Sequence, residues 1–412
     1  MARRVLYVLF APGMDGCAIS LSLLIKNLDR SRYVPLAVQS SEELGIVATR
    51  LTELGVTLDH VPVPLVWGDT WMFGANLRGR AWRAFRASEA AERYLRERRP
   101  DLVHLNCVPP VPFAIAADKL GIPIVWHCRI VMPDDSALCV APRLIAEMER
   151  RARRIIAISE PEAKQFHFDK LRTIYNPVEL ERIARARGTG RAFRREFGED
   201  ADEFVAVAPI PLIAQKGAWD FIRACGVAAR SVPSRKFRFF IAGGIPTPGR
   251  RHLLRRWTGL GPEAARDYAQ RLIREEGLDG RMHLTGFRSD IYSLMDAADL
   301  IVFPTHMNTC GRIGFEAGAL GKPVVVTMRS RDTRVVLHGT TGHIIPERNP
   351  EELGRAIAWH AEHPEESFRM GEAGRGYIPS RFNEIAHAQS VMSLYDEVLA
   401  EAAASARQVA RG

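Results

Sequence analysis

The chain has 412 residues, of which 47% are hydrophobic and 25% are charged. These proportions are typical of a soluble globular protein, and the length suits two domains better than one core. No stretch approaches the ~20 consecutive apolar residues of a membrane-spanning helix. The formal net charge is +9, mostly from arginines spread along the chain, which favours anionic partners such as nucleotide phosphates, an anionic membrane or nucleic acid.

The amino-terminal segment superficially resembles an export signal. Its apolar run extends only from Val5 to Ala11 and is closed by Pro12 and Gly13, which is more typical of a buried first strand that enters a loop. The six cysteines form neither a CxxC pair nor a zinc-binding spacing, a pattern typical of a reducing compartment. We therefore expect a cytoplasmic protein.

The first half of the chain alternates short apolar strands with amphipathic helices. The predicted elements are strand 5–10, helix 18–28, strand 35–39, helix 42–54, strand 102–105, helix 112–120 and strands 122–127, 155–159 and 171–175. Such alternation predicts a parallel sheet that is covered by helices on both faces.

The second half repeats this pattern after a polar stretch at residues 186–203, which we expect to be a linker. The predicted elements are strand 204–209, helix 219–229, strand 238–242, helix 264–276, strand 282–284, helix 290–297, strand 300–304, helix 311–320, strand 323–327 and helix 383–404. The sequence therefore predicts two Rossmann-like doubly wound α/β domains, residues 1–185 and 204–380, facing a cleft. Residues 381–412 are expected to pack back on the first domain as a helix, and ligands to lie at the carboxyl ends of the strands.

The stretch from Phe303 to Pro323 predicts a phosphate site. A buried strand stops at Pro304, a polar loop follows, and a helix begins near Gly311 with Thr309 as its N-cap. Gly311 allows a ligand to approach the backbone, and the first-turn N–H groups present the positive end of the helix dipole. Glu316 lies one turn further in an otherwise apolar segment, where a buried carboxylate needs a partner such as a ribose diol.

This stretch resembles the retaining glycosyltransferases of family four, which have the GT-B fold. The family pattern is a Glu, seven residues, then a second Glu followed by small residues and Gly-x-Pro-Val, and Glu316-Ala-Gly-Ala-Leu-Gly-Lys-Pro-Val324 fits its second part. Further segments match in the family's order over most of the chain, at residues 101–106, 121–127, 155–159, 174–178, 215–217, 285–290 and 341–346. The resemblance implies transfer of a sugar from a nucleoside-diphosphate sugar, with retention, to a glycan or lipid-linked acceptor.

The resemblance also implies a role for each matching residue. Lys216 would neutralise the diphosphate of the leaving nucleotide, Glu316 would bind the ribose, and His127 would reach across the cleft to the sugar or phosphate. The expected donor-binding residues lie in the loop before the first helix, in the loop at the nucleotide base and in the phosphate cradle; they are Gly13, Gly16, Phe287, Arg288, Asn308, Thr309, Cys310, Gly311 and Arg312. The leaving phosphate would help to deprotonate the acceptor, so we expect no dedicated base, no metal and no cofactor.

Two positions depart from the family pattern. Asn308 stands where the first Glu is expected, and Pro211 stands where an Arg is expected five residues before the lysine. Loss of a cation at the diphosphate costs about 2–4 kcal/mol of transition-state stabilisation if nothing replaces it, and Arg312 is a candidate replacement. Two interpretations stay open: an active transferase whose donor suits Asn308, or a catalytically degenerate subunit that keeps the fold and binds a partner.

Residues 67–99 carry a second unusual pattern, in which aromatic residues stand among arginines. Trp82 and Phe85 share a helical face that arginines flank. This arrangement suits either peripheral contact with an anionic membrane or a helix packed on the sheet with a solvated arginine face.

Other motifs are weaker. The triplet Asp200-Ala-Asp202 is not at the end of an apolar strand, and the glycine clusters 259–261 and 371–376 lack the strand–turn–helix context of a dinucleotide site. No nucleic-acid motif accompanies the basic run 150–154. We therefore expect no metal and no nucleic-acid partner.

Overall fold

The computed structural model describes residues 2–9, 16–40, 46–63, 77–108, 110–131, 141–196, 198, 202–245, 265–331 and 333–409. Gly13, Trp67, Asp200 and the glycines at 259–261 lie outside these described residues. Contacts between residues divide the chain into two compact units. Unit 1 contains Met1–Pro177 and Phe382–Gly412, and unit 2 contains Val178–Arg381.

Unit 1 is an α/β unit. Its described strands are β1 (Arg3–Leu9), β2 (Tyr33–Gln39), β3 (Leu58–His60), β4 (Leu102–Asn106), β5 (Ile124–Cys128), β6 (Arg154–Ala157) and β7 (Leu171–Thr173). Its described helices are α1 (Gly16–Lys26), α2 (Ile46–Glu53), α3 (Leu77–Arg98), α4 (Val111–Lys119), α5 (Ala141–Arg151), α6 (Glu160–Ala163) and, from the end of the chain, α15 (Glu384–Val409). The strands are parallel in the order β3-β2-β1-β4-β5-β6-β7.

The core of unit 1 lies on both faces of this sheet, because alternate residues of a strand face opposite sides. Leu6 and Val8 of β1 belong to one apolar cluster, whereas Val5, Tyr7 and Leu9 belong to another. The second cluster includes six buried residues of α15: Ala388, Val391, Met392, Leu394, Tyr395 and Val398. The last helix is therefore part of the core of unit 1, as the sequence predicts.

Helix α3 contains much of the aromatic and arginine-rich segment. Four residues in its carboxyl-terminal half are buried in the core of unit 1, namely Ala87, Ala91, Tyr94 and Leu95. This half of the helix packs on the sheet, while the side chains of Trp82 and Phe85 lie outside the described residues. In the part of the chain that the structure describes, no helix is long and apolar enough to cross a membrane.

Unit 2 has the same architecture. Its described strands are β8 (Phe204–Ala208), β9 (Phe237–Ile241), β10 (Met282–Leu284), β11 (Leu300–Phe303), β12 (Val324–Thr327) and β13 (Gly342–Ile345). Its described helices are α7 (Leu180–Ala186), α8 (Gly190–Glu196), α9 (Ala218–Ser231), α10 (Ala265–Glu275), α11 (Ile291–Ala297), α12 (Gly311–Leu320), α13 (Pro350–Glu362) and α14 (Pro364–Arg381). The parallel order is β10-β9-β8-β11-β12-β13, so the strand order reverses between β8 and β11. The predicted pair of doubly wound sheets is confirmed.

Helix α8 lies in the stretch that the sequence predicts as a linker. The backbone N–H of Gly190 donates to Asp296 Oδ2 of α11 at 2.8 Å, and Arg194 pairs with Asp299 at 2.8 Å. The described part of residues 186–203 is thus attached to unit 2. Within this polar stretch, Arg194 binds a carboxylate of unit 2 and Arg187 binds the backbone carbonyl of Ala319.

Strand β13 and helices α13 and α14 were not among the predicted elements. Glycines hide the helical pattern of α14, and Pro379 lies within it. A Cβ on Gly371 would lie 2.2 Å from the carbonyl oxygen of Gly321, and one on Gly374 would lie 3.0 Å from Gly318 Cα. These glycines, excluded above as a dinucleotide motif, instead allow α14 to pack closely on α12.

A cluster of histidines connects β13 to α13. His343 Nδ1 lies 3.1 Å from His360 Nε2, and His360 Nδ1 lies 2.8 Å from the hydroxyl of Ser367. His360 is fully buried. Burial, reinforced by His343, lowers the pKa of His360 to about 3.

Acid is therefore expected to destabilise the protein. His360 stays neutral in the folded state, whereas in the unfolded chain it takes up a proton below its usual pKa of about 6.5. Its contribution is fully present above that pH and is lost as the pH falls towards 3; at pH 5 the loss is roughly 2 kcal/mol. Urea unfolding at pH 7.5 and 5.0 should show this loss in the wild type and much less in His360→Gln. The exposed His167→Gln is the control, and equal pH dependence of wild type and His360→Gln would refute the prediction.

Candidate active site

The candidate site lies in unit 2, where the strand order reverses. At such a point the loops that follow two neighbouring strands diverge and leave room for a ligand. In this protein, two contacts close to the strand ends join the segments that follow β8 and β11. The backbone N–H of His306 donates to the carbonyl of Gln215 at 3.1 Å, and His306 Nε2 lies 2.7 Å from Asp220 Oδ2.

The loop after β8 positions Lys216. A 3₁₀ turn, Ala214–Lys216, ends at Gly217, whose φ is +74°. A Cβ at Gly217 would lie only 1.6 Å from the carbonyl oxygen of Pro304. Glycine is therefore required by the close approach of the two loops, and this approach fixes the position of Lys216. The Lys216 ammonium lies 5.9 Å from the ring centroid of Phe303.

The ring of Phe303 also contacts the start of α12. Gly311 has a φ of +52°, and a Cβ there would lie 2.9 Å from Phe303 Cε1. Because the same ring is close to Lys216 and Gly311, the lysine and the amino terminus of α12 belong to one region of the surface. A cation beside helix amides is suited to an anionic ligand such as phosphate.

The predicted cap of α12 is wrong in detail. The residue at the N-cap position is Cys310, which makes no side-chain capping bond. Thr309 Oγ1 instead accepts a hydrogen bond from Gly311 N at 3.2 Å. The Cys310 side chain is buried and its Sγ contacts Met328 and Thr333, so the residue faces a ligand only through its backbone.

Glu316 is buried with 8% of its surface exposed. Its Oε1 accepts hydrogen bonds from the Tyr292 hydroxyl at 2.8 Å and from Arg312 Nε at 3.0 Å. Burial, together with this carboxylate, raises the pKa of Tyr292. Oε2 makes no hydrogen bond to the residues that the structure describes, and it is the oxygen that can receive a ligand hydroxyl.

Arg312 was predicted as a replacement for the missing diphosphate arginine. Its side chain is 9% exposed and forms an ion pair with Glu316 on the next turn of α12. The structure therefore places its guanidinium against the buried carboxylate, where it orients Glu316. The sequence did not predict this pair or the contribution of Tyr292.

Asn308 is held by two residues that the sequence analysis missed. Its backbone, with φ of +47°, donates to Glu347 Oε1 at 2.7 Å, and its Oδ1 accepts from the backbone N–H of Arg329 at 3.0 Å. Glu347 Oε2 lies 3.1 Å from Arg329 Nε. The three residues follow β11, β12 and β13, which are neighbours in the sheet. Their positions just beyond apolar strands are the only sequence signal that could have grouped them.

The predicted base loop follows β10. Phe287 is 66% exposed, and Arg288 Nη2 pairs with Asp290 Oδ2 at 2.6 Å. This bond to Arg288 lowers the pKa of Asp290. Asp290 stands at the N-cap of α11 but makes no capping bond, and its carboxylate pairs with Arg288 instead.

His127 and Gly16 lie in unit 1. His127 is the penultimate residue of β5, one residue before the strand ends at Cys128. It is fully buried, with its Nδ1 3.2 Å from Arg129 Nη2. Burial, followed by the charge of Arg129, lowers its pKa well below the usual range. Its Nε2 makes no hydrogen bond to the described residues. Gly16 is the first residue of α1.

The sequence also missed Arg129, which is buried two residues after His127. Its Nε donates to Asn106 Oδ1 at 2.7 Å, and its Nη1 donates to Asn176 Oδ1. These contacts tie the ends of β4 and β5 to the segment after β7. The described contacts of His127 thus place it in a buried polar network of unit 1.

Two doubly wound parallel sheets and a helix-terminal cradle are the features of GT-B glycosyltransferases. The family model "Glycosyl transferases group 1" matches residues 191–377, and "Glycosyltransferase Family 4" matches residues 68–182. The chain belongs to the family-four type of glycosyltransferases.

Solved structures show the same fold. Anabaena Alr3699/HepE in complex with UDP and glucose superposes with a TM-score of 0.75 at 19% identity, covering 96% of this chain and 100% of that one. Sucrose-phosphate synthase from Thermosynechococcus elongatus superposes with a TM-score of 0.72 at 17% identity, covering 97% and 100% of the two chains.

Curated relatives match this chain over only part of their lengths. A D-inositol 3-phosphate glycosyltransferase of Corynebacterium glutamicum is 28% identical over 225 residues, or 54% of this chain and 50% of the relative. The lipopolysaccharide core biosynthesis glycosyltransferase LpsD of Rhizobium meliloti is 25% identical over 223 residues, or 54% of this chain and 58% of the relative. The matches to these two relatives thus span about half to three-fifths of their lengths.

Proposed function

We propose that this protein is an active glycosyltransferase that moves a sugar from a nucleoside-diphosphate sugar to a glycan or lipid-linked acceptor, with retention of anomeric configuration. The observation that carries the proposal is the convergence of Lys216 and the amino terminus of α12 on the ring of Phe303. A cation and helix amides at one point are suited to a diphosphate.

The chemistry follows from the charge that develops on the leaving nucleotide. As the sugar–phosphate bond breaks, negative charge grows on the diphosphate, and preorganised positive groups stabilise the transition state more than the ground state. Lys216 supplies a full charge, and α12 supplies the partial charge of its first N–H groups. The leaving phosphate takes the acceptor proton, so this mechanism has no separate base and no metal.

The nucleoside would lie between α12 and the loop after β10. Glu316 Oε2 would accept a hydroxyl of the ribose, while Arg312 and Tyr292 hold Oε1. The backbone at Phe287 and Arg288 would bind the base, and the exposed Phe287 ring offers an apolar surface beside it. Truncated or altered nucleotides should therefore bind less tightly.

We also propose a cytoplasmic location, where nucleotide sugars and reduced thiols are found together. Four cysteines of the described residues are buried, namely Cys107, Cys128, Cys225 and Cys310, as is usual for cysteines that serve as small core residues. An anionic membrane surface remains our proposal for the partner of the amino-terminal part of residues 67–99.

Thermal unfolding with UDP, GDP, ADP and dTDP, each free and linked to a sugar, tests the function. At 100 times its Kd, the correct ligand should stabilise the protein by about 2.7 kcal/mol and raise Tm by a few degrees. Absence of stabilisation by every nucleotide would contradict the proposal. The anomeric configuration of the transferred sugar, read by NMR, tests retention separately, because an inverted product would exclude it.

A further inference from the structure

A pair of side chains joins the loop after β11 to the first turn of α9. His306 Nε2 lies 2.7 Å from Asp220 Oδ2, and each side chain is 15% exposed. A carboxylate only accepts hydrogen bonds, so the proton of this bond is on Nε2 and His306 is the donor. A hydrogen bond to a charged acceptor is about twice as strong as one between neutral groups. The His306–Asp220 pair is therefore a firm connection between the two segments.

Asp220 does not serve its own helix. It is the third residue of α9, where acidic side chains commonly interact with the free N–H groups at the helix start. In the part of the chain that the structure describes, its carboxylate hydrogen-bonds only to His306. The carboxylate is thus directed to the loop after β11.

Two backbone contacts lie on either side of Lys216. The carbonyl of Gln215 accepts from the backbone N–H of His306 at 3.1 Å, and a Cβ on Gly217 would lie 1.6 Å from the carbonyl oxygen of Pro304. Two points of contact leave a turn free to rotate about the line that joins them. The His306–Asp220 pair adds a third point just after Lys216 and removes this freedom.

We infer that His306 and Asp220 are positioning residues for Lys216: their hydrogen bond holds the turn that carries the lysine, and so keeps its ammonium beside the amino terminus of α12. This inference rests on the proposed function, since it takes Lys216 as the cation that stabilises the leaving diphosphate. A displacement of about 1 Å in a catalytic group can cost 10²-fold in rate. Because the two backbone contacts remain when the pair is removed, we expect a smaller loss, about tenfold in kcat.

Removal of the pair from either side tests the inference. His306→Phe removes the donor but keeps an aromatic ring, and Asp220→Ala removes the acceptor. Each should reduce kcat at saturating substrate by about tenfold, while calorimetry should show a much smaller change in affinity for the nucleotide sugar, since the misplaced charge matters most in the transition state. His306→Gln should keep most of the wild-type kcat, because glutamine Nε2 can donate to Asp220 in place of the imidazole.

A double-mutant cycle with Lys216→Met separates positioning of the lysine from a general loss of structure. If the pair acts through Lys216, the addition of His306→Phe to Lys216→Met should lower kcat by no more than about threefold, whereas a purely structural role would multiply the two losses. Tyr94→Phe is the control. It removes a 2.6 Å hydrogen bond to Asp59 in unit 1 and should change kcat little in either background.

The outcomes for the pair and for the site are distinguishable. Wild-type kcat in both His306→Phe and Asp220→Ala, or losses that multiply in the double variant, would overturn the inference and leave the proposed function intact. Failure of every nucleotide to bind would instead contradict the proposed function. An unchanged kcat in Lys216→Met would overturn both the role of Lys216 and the inference that depends on it.

Discussion

Replacing Lys216 by methionine is expected to reduce kcat by about 10²- to 10³-fold, the usual effect of removing one preorganised group that stabilises developing charge. Methionine keeps most of the aliphatic length but removes the ammonium that lies 5.9 Å from the ring centroid of Phe303. Because the charge on the leaving diphosphate grows during the reaction, affinity for the nucleotide sugar should fall much less than kcat. Transfer or donor hydrolysis at saturating substrate, with binding measured by calorimetry, separates the two effects.

Lys119→Met is the matched control. Its ammonium is on unit 1, its side chain is 66% exposed, and it pairs with Glu92 at the surface. This change should alter kcat and the free energy of unfolding little, since exposed ion pairs contribute at most about 1 kcal/mol. Equal kcat in Lys216→Met and the wild type would contradict the role proposed for Lys216.

The sequence was most informative where a motif and the chain segment that supports it are contiguous. Gln215, Lys216 and Gly217 form one turn, and the segment from Pro304 to Glu316 is one loop and one helix. Their local conformations follow from residue type, because glycines such as Gly217 and Gly311 permit positive φ. The alternation of strands and helices predicted both sheets because hydrophobic periodicity is likewise a local pattern in the sequence.

What the sequence could not predict is mostly contact between distant segments. Tyr292 binds Glu316 from a neighbouring helix, and Glu347 binds Asn308 across two strands. The residues of such contacts have no fixed separation in the sequence, because the contacts depend on which strands become neighbours in the sheet. For the same reason, the position of Arg312 in the sequence did not reveal that it forms an ion pair with Glu316.

Helix α14 illustrates a second limit. Its three glycines read as a flexible stretch when only propensity is considered. Their purpose becomes visible only with the partner helix in place, since Gly371 and Gly374 face the backbone of Gly321 and Gly318. Tertiary packing overrides the low helix propensity of glycine here, because the close approach of the two helices leaves no room for a side chain.

Gly217→Ala is expected to have the largest effect on stability among changes near the site. The new Cβ would lie 1.6 Å from the Pro304 carbonyl oxygen, so the loops after β8 and β11 must separate. Separation also weakens the hydrogen bond between His306 N and the Gln215 carbonyl. We expect a loss of roughly 3–5 kcal/mol in the free energy of unfolding, measured by urea denaturation at pH 7.5.

Gly339→Ala separates this steric effect from backbone strain. Gly339 has a φ of +75°, nearly the same as Gly217 at +74°, but a Cβ there would meet no atom within 4 Å. Left-handed backbone alone costs an alanine about 1–2 kcal/mol, so Gly339→Ala should lose only that amount. The excess in Gly217→Ala then measures the contact between the two loops. Since a displacement of about 1 Å in a catalytic group can cost 10²-fold in rate, the same variant should lose nucleotide affinity and turnover that Gly339→Ala retains. Equal losses of stability in the two variants would show that the loops after β8 and β11 are not held together as the structure describes, and Lys216 would then lack the support on which its proposed role depends.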